Sequence, residues 1–199
     1  MTTNRFRAAA LTAAAAAMTV ATITAATAAP VPPAFLSASQ LPAASTPWIA
    51  GPVQSGAADD FCVEGVAPDT NSRHREFRTD LDTGARQTIT VAASETKAKA
   101  LAAKLRTAIE GCLDRLQAEY PTLEGEAFHH GRINVEEGAD LYSIDTADPE
   151  VGSTDIALYA VGRDGRAVTV IGWSQLGDLD GAPLNGFRTT TRTAVAKLY

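Results

Sequence analysis

The 199-residue chain carries 17 basic and 23 acidic side chains, a formal net charge of −6, and only two cysteines. A negative chain with no run of Lys and Arg has no electrostatic reason to hold nucleic acid or an anionic membrane, so neither is expected as a partner. The length fits one domain with a sizeable core.

Residues 1–28 have the three parts of a secretory signal. Arg5 and Arg7 form a basic start, Ala8 to Ile23 runs without charge, and Ala26-Thr27-Ala28 offers a small-residue cleavage site. The stretch is rich in Ala and Thr rather than Leu, which makes it weak as a permanent span, and no later apolar run approaches the ~20 residues a helical span needs. The expected product is secreted or extracytoplasmic, cleaved near Ala28, with no retained membrane span. No cysteine directly follows the signal, which closes the lipid-anchored route. Without Arg5 and Arg7, 15 basic residues face the same 23 acidic ones, and the net charge deepens to −8.

Residues 29–52, rich in Pro, Ser and Ala, read as a flexible leading segment. Within it Phe35, Leu36 and Leu41 suit one short helical turn ending before Pro42, and Trp48 and Ile49 suit docking on the body. Residues 53–199 read as a single α+β domain. Its first strands are expected at Arg73–Asp82 and Ala85–Ala93, joined by a turn at Asp82-Thr83-Gly84. In the second of these, Ile89 and Val91 alternate with Thr88 and Thr90, the period of a half-buried strand. Ser94 then offers an N-cap, with Glu95 favoured in the first turn of a helix that Pro121 stops after Tyr120. Ala98, Leu101, Leu105, Ala108, Ile109, Cys112 and Leu116 form its apolar stripe.

Four further strands are expected at Glu126–Val135, Asp140–Thr146, Asp155–Arg163 and Arg166–Ser174. Glu136-Glu137-Gly138 and Asp164-Gly165 are their turns, the latter matching type I′. Asp180 suits the cap of a last helix reaching Leu198, with Leu184, Phe187, Thr191, Val195 and Leu198 on one face. The order β-β-α-β-β-β-β-α with tight hairpins predicts an antiparallel sheet with two main helices packed against it.

Cys62 and Cys112 can pair only with each other, and in an oxidising compartment such a pair forms a lasting disulfide. Their 50-residue separation lacks the short spacing that tunes a reactive thiol. The pair therefore reads as a staple between the segment before the strands and the buried face of the long helix. His129-His130 would point to opposite faces of a strand, and a metal site would need His74 or carboxylates with no spacing motif to recommend them, so no metal is expected. Gly172-Trp173-Ser174-Gln175-Leu176-Gly177 fails the nucleophile-elbow pattern, since its second glycine comes one residue late. Asp178-Leu179-Asp180-Gly181 fails as a calcium loop, because Leu176 and Phe187 would fall where oxygen ligands are required. No catalytic residue and no cofactor are expected.

Glu124, Glu126, Glu136, Glu137 and Asp140 make a carboxylate-rich region. A pair among them held at the right separation could hydrolyse a glycosidic bond, and otherwise they form a solvated acidic rim. Trp48, Tyr142, Tyr159 and Trp173 are the candidate ligand-binding residues. They either fill the core or wall a cleft between sheet and helices, with a few polar groups to orient a small molecule.

The set Leu36-Ser37-Ala38-Ser39-Gln40-Leu41-Pro42, Trp48, Cys62, Arg78-Thr79-Asp80-Leu81-Asp82 and the Cys112 helix resembles the extracytoplasmic sensor domain of mycobacterial PknH-like serine/threonine kinases and its free-standing secreted relatives. The resemblance covers about residues 35–199 and rests on element order and scattered residues. It implies an antiparallel sheet with helices around a cleft that binds an unidentified ligand. The kinase domains have more than one disulfide where this chain can make one, and there is no kinase domain here, so any signalling would pass through a protein partner. The resulting expectation is a secreted, non-enzymatic ligand-binding or sensor-like domain for a small molecule or envelope component. Two alternatives are a secreted hydrolase using a carboxylate pair and a protein-interaction or inhibitor module using an exposed hairpin such as Asp164-Gly165.

Overall fold

The computed structural model describes residues 32–199; the expected signal and its cleavage site lie outside the described residues. Seven strands form one antiparallel sheet: β1 (Ile49–Ser55), β2 (Ser72–Arg78), β3 (Gly84–Val91), β4 (Glu124–Ile133), β5 (Ala139–Asp148), β6 (Ser153–Asp164) and β7 (Ala167–Leu176). Their order across the sheet is β1-β2-β3-β7-β6-β5-β4. Helices α1 (Glu95–Glu110) and α2 (Cys112–Glu119) connect β3 to β4 over one face, and α3 (Leu184–Ala196) follows β7 and packs on the other. The architecture is α+β, as the element order predicts.

Each face carries its own core. Leu141, Leu158, Ile171 and Trp173 pack under α3 with Phe187, Val195 and Leu198. Tyr142, Ile144, Tyr159, Val161, Val168 and Val170 pack under α1 with Leu105, Ile109 and the two cysteines. The two sets interleave along each strand, because successive side chains point to opposite faces. β7 is buried from Ala167 to Trp173 for that reason, with one face on each core. Among the described residues no helix is long and apolar enough to cross a membrane.

From Ala34 onward the leading segment is tied into the body rather than loose. Ala34 N–H donates to Lys197 O (2.9 Å), Leu36 N–H to Gln87 Oε1 (2.9 Å), and Arg75 Nη1 to Leu36 O (3.0 Å). Leu36 is fully buried, and a single 3-10 turn at Ala38–Gln40 occupies the place of the expected helical turn. Trp48 packs on the α3-side core, its Nε1 donating to Pro42 O (2.7 Å). The unexpected strand β1 spans the boundary drawn at residue 52. Gly51 and Pro52 hide it from a periodicity reading, and the register shift between Ala50 and Val53 shows how the sheet accommodates them at an edge.

Three local differences have simple causes. The β2–β3 connection is a longer loop, residues 79–83, because the Thr79 hydroxyl donates to Thr83 O (3.1 Å) and accepts from Leu81 N–H (3.3 Å), competing with the strand ladder. The expected single helix breaks at Gly111, where the Arg115 N–H to Gly111 O bond stretches to 3.4 Å, and glycine is a poor helix-interior residue. The expected cap at Asp180 moves to Asp178, whose carboxylate accepts Gly181 N–H (3.2 Å) in the 3-10 turn Leu179–Gly181. Pro183 then delays α3 to Leu184, since proline belongs at or before the first helical turn. In the β6–β7 hairpin Asp164 pairs with Ala167, which leaves Gly165-Arg166 as the two-residue loop. Gly165 alone has positive φ there (50°), so the turn has the type II′ pattern and not type I′.

Candidate ligand-binding cleft

The disulfide forms as the sequence reading requires, joining Cys62 to Cys112 with a Cα–Cα distance of 5.1 Å. Cys112 lies on the buried stripe at the start of α2, so the staple draws the segment around residues 60–63 onto the α1 face of the sheet. Arg115 supports the junction, its Nη2 donating to both Cys62 O (2.9 Å) and Ala108 O (2.8 Å). Ser94 caps α1 as expected, accepting Lys97 N–H (3.2 Å).

Register then sets one row of side chains across this face. Arg86 on β3 lies opposite Gly172 on β7, Gly172 opposite Tyr159 on β6, Tyr159 opposite Tyr142 on β5, and Tyr142 opposite His129 on β4. Gly172 leaves room above itself for a side chain from the stapled segment. A Cβ there would come 2.9 Å from Asp60 Oδ2 and 3.3 Å from Tyr159 Cε1.

Asp60 fills that room. Its Oδ1 accepts the Tyr159 hydroxyl (2.9 Å) and Cys62 N–H (3.1 Å), and its Oδ2 lies 3.6 Å from Arg86 Nε. Arg86 also donates to the Asp59 carbonyl. Burial pushes the Asp60 carboxyl above its ordinary range, against the opposing pull of Arg86, the Tyr159 hydroxyl and Cys62 N–H. Burial, then the negative field and hydrogen bond of Asp60, push the Tyr159 hydroxyl well above the ordinary tyrosine value. Tyr159 is therefore a neutral donor, and the cluster is a positioning device for the stapled segment.

Beside this cluster the face opens into a cleft of about 290 Å³. Its floor is the register row Ile144–Ala157–Ser174, followed by Thr146–Asp155. Phe61 and Cys62 from the stapled segment, Leu116 from α2, Tyr120 and Leu123 from the chain just after it, and Tyr159 complete the lining. Phe61 is 39 % exposed and Tyr120 50 % exposed, so two large aromatic rings stand open to solvent at the mouth. The break at Gly111 and the stop at Pro121 set the α2 part of this lining: α2 is a short separate helix that ends with Tyr120 at its C-cap.

The four aromatic candidates divide between the two faces. Tyr159 lines the cleft. Tyr142 lies one strand over, with its hydroxyl on Glu110 Oε1 (3.1 Å) and His129 stacked on its ring at 4.8 Å, lining a smaller hollow of about 250 Å³. Burial and Glu110 raise its hydroxyl far above the ordinary value. Trp48 and Trp173 belong to the α3-side core; Trp173 is 2 % exposed, and its indole N–H has no hydrogen-bond partner among the described residues. The sheet thus keeps these two from sharing one cleft with Tyr142 and Tyr159. Asp60, Phe61, Leu116, Tyr120 and Leu123 were not singled out as site residues. The signals available for them were the Asp60-Phe61-Cys62 adjacency and a tyrosine at the helix-ending Tyr120-Pro121.

The remaining sequence candidates are placed as follows. His129 and His130 do point to opposite faces. His129 Nε2 lies 3.3 Å from Asp140, which also faces Arg106 (3.5 Å) and Arg132 (3.6 Å). His130 Nε2 meets Ser143 Oγ at 2.7 Å, and burial lowers its pKa, as do the nearby Arg188 and His129. Ser143 is fully buried, so this contact offers no nucleophile to a substrate. His74 sits on β2, its Nδ1 paired with Gly56 O (3.0 Å). Among the described residues no group of three or more His, Cys, Asp and Glu side chains is arranged to hold a metal ion. Glu137 pairs with Arg163 (2.6 Å) and accepts Gly165 N–H (2.5 Å) at one end of the β4–β5 hairpin, while Glu124 and Glu126 lie exposed at the other.

Comparison with known proteins gives no match: no family model, no curated protein and no solved structure matches this chain.

Proposed function

We propose that the chain is a secreted, non-enzymatic ligand-binding domain of the sensor type, and that it takes a small, mostly apolar molecule in the cleft beside the disulfide. The observation that carries this reading is the pair of exposed rings, Phe61 and Tyr120, that line one mostly apolar hollow. Apolar surface gathered in a concavity with a few polar groups is the usual form of a small-molecule site. Here Ser174, Thr146 and Asp155 supply the polar groups on the floor. A volume near 290 Å³ lies at the lower end of the range for such sites, which suits one ring system or a short chain. The disulfide and the Asp60 cluster hold the Phe61 wall in place before a ligand arrives, which lowers the ordering cost of binding. The resemblance to secreted sensor domains favours the same reading, as does a disulfide, which persists in oxidising compartments.

The test is a thermal-shift screen of the secreted chain against cell-wall fragments, lipids and metabolites. We predict a saturable rise in melting temperature with at least one compound. Leu116→Trp, which fills the cleft from α2, removes that rise while the unliganded melt stays cooperative. A flat response across the panels, or a response that Leu116→Trp leaves intact, overturns the proposal.

A further inference from the structure

The stapled loop has a second flank, and its character is different. Between residues 66–71, the end of β3 and the first half of α1 lies a groove of about 390 Å³, and an adjoining hollow of about 440 Å³ shares Asn71, Val91, Ala92 and Ala93 with it. Lys97 and Lys104 line the groove, and Arg73 and Arg166 line the hollow. No carboxylate lines either one. The four cations come from β2, α1 and the β6–β7 turn, so no run of the sequence announces them.

Their charges are also uncommitted. The ion pairs among the described residues engage Arg78, Arg86, Arg106, His129, Arg132 and Arg163, and none of these four. Arg73 lies over the Phe35 ring, 6.0 Å from its centroid, which turns it toward the α3-side core. Carboxylates nearby along the chain do not answer them: Asp164, two residues before Arg166, and Glu76, three after Arg73, line neither space. Asp69 turns back to Ala57 N–H (3.3 Å), and Glu95, in the first turn of α1, lines neither space. An uncompensated positive concavity on a chain of net charge −6 concentrates anions at that place against the mean field of the protein.

The floor is apolar. Lys97, Leu101 and Lys104 follow at helical spacing on one face of α1, so two ammonium groups flank a half-buried leucine that faces Val66. Asn71 sits at the junction of the two spaces with a left-handed backbone (φ 65°), held by its carbonyl to Val91 N–H (3.0 Å). Its exposed side-chain amide makes no hydrogen bond among the described residues. Cations at the rim, apolar side chains between them and a free amide at the junction are complementary to one kind of molecule.

We propose that this groove binds an acidic amphiphile, its carboxylate or phosphate head held by Lys97, Lys104 and Arg166 and its short apolar body lying on Val66 and Leu101. The site is separate from the cleft beside the disulfide and stands or falls without it.

The experiment titrates the secreted chain with decanoate, decyl phosphate, decanol and inorganic phosphate, each below its aggregation limit, followed by calorimetry and by amide chemical shifts. Decanoate or decyl phosphate is expected to saturate one site, shifting Ala92, Ala93 and Leu101, and to weaken as salt is raised. Whichever of the two binds more tightly identifies the head as carboxylate or phosphate. Lys97→Glu with Lys104→Glu is expected to cost at least tenfold in affinity with an unchanged melt, both lysines being exposed. Leu116→Trp is expected to leave this binding intact, which separates it from the cleft. Four results would each overturn the proposal: no binding by either acid, equal binding by decanol, equal binding by inorganic phosphate alone, or indifference to the charge reversal. Retention on anionic vesicles without binding of the monomeric acids would overturn it too.

Discussion

Reducing the disulfide should lower the melting temperature by a calculable amount. The bond closes a 50-residue interval that contains β2, β3 and α1, and both sulfurs lie in the α1-side core, with Cys62 4 % exposed and Cys112 fully buried. Opening a loop of that length returns about 4 kcal/mol of conformational freedom to the unfolded chain on the loop-entropy account. For a domain of this size each kcal/mol moves the melting temperature by about 2–4 °C, so the expected drop is roughly 8–16 °C. The native fold should survive at room temperature, because Asp60 still binds Tyr159 and Arg115 still reaches the Cys62 carbonyl. The assay is a circular-dichroism melt with and without reductant, paired with thiol titration to show that two thiols have been released. The Cys62→Ala, Cys112→Ala double variant should fall at least as far, since it also removes two buried sulfurs. Release of both thiols with a melt unchanged within about 2 °C would refute the reasoning, since the closed loop would then contribute nothing measurable.

Two further substitutions probe the packing on the two faces of the sheet. Burial raises the Asp60 carboxyl above its unfolded value of 3.8, so the native state keeps that proton over a range of pH in which the unfolded state has lost it. The contribution of Asp60 to stability therefore falls as pH rises through that range. Wild type should lose ground relative to Asp60→Asn between acid and neutral pH in urea titrations, and a gain instead would show that Arg86 outweighs burial. On the other face, a Cβ at Gly162 would overlap Val195 Cγ2 and approach Ala139 Cβ to 3.2 Å. Gly162→Ala should cost about 1–3 kcal/mol by overpacking β6 against α3, with part restored by Val195→Ala in the same chain. A neutral Gly162→Ala in denaturant titrations would mean that α3 sits farther from the sheet.

Much of the fold could be read from the chain because its signals are local. The strand through Thr88–Val91, the Ser94 cap and the stripe through Leu105, Ile109 and Cys112 each depend on a few neighbouring residues, and each is found where expected; the half-buried alternation is not, since Thr88 and Thr90 are buried along with Ile89 in a sheet covered on both faces. The failures come where a distant contact overrides a local preference. β1 contains Gly51 and Pro52 and forms because β2 offers it an antiparallel edge. Leu36 looks like part of a loose leader, and it is core because Gln87 and Arg75, some 40 to 50 residues away, satisfy its backbone groups. The turn at Gly165-Arg166 was misread by one position, since hairpin register is a property of the strand pair and not of the dipeptide.

The site was far less legible, and parity explains why. A strand residue's face is fixed by whether it lies an odd or even number of positions from a reference, so Tyr159 and Trp173 share the sheet's middle while pointing into opposite cores. The four candidate aromatics look alike in the sequence; only the pairing of Tyr159 with Gly172, and of Trp173 with Leu158, separates them. The same pairing turns Gly172 from a weak point in a strand into the opening that admits Asp60 from the stapled segment. That gives the disulfide a second role beyond stability. By fixing Cys62 at α2 it sets the reach of its neighbours: Asp60 folds in over Gly172, Phe61 stands out as the wall of one cleft, and residues 66–71 continue as the wall of the cationic groove. One crosslink thus positions both candidate sites. Loosening it should therefore disturb ligand binding at the two sites together, even though only one of them is cationic.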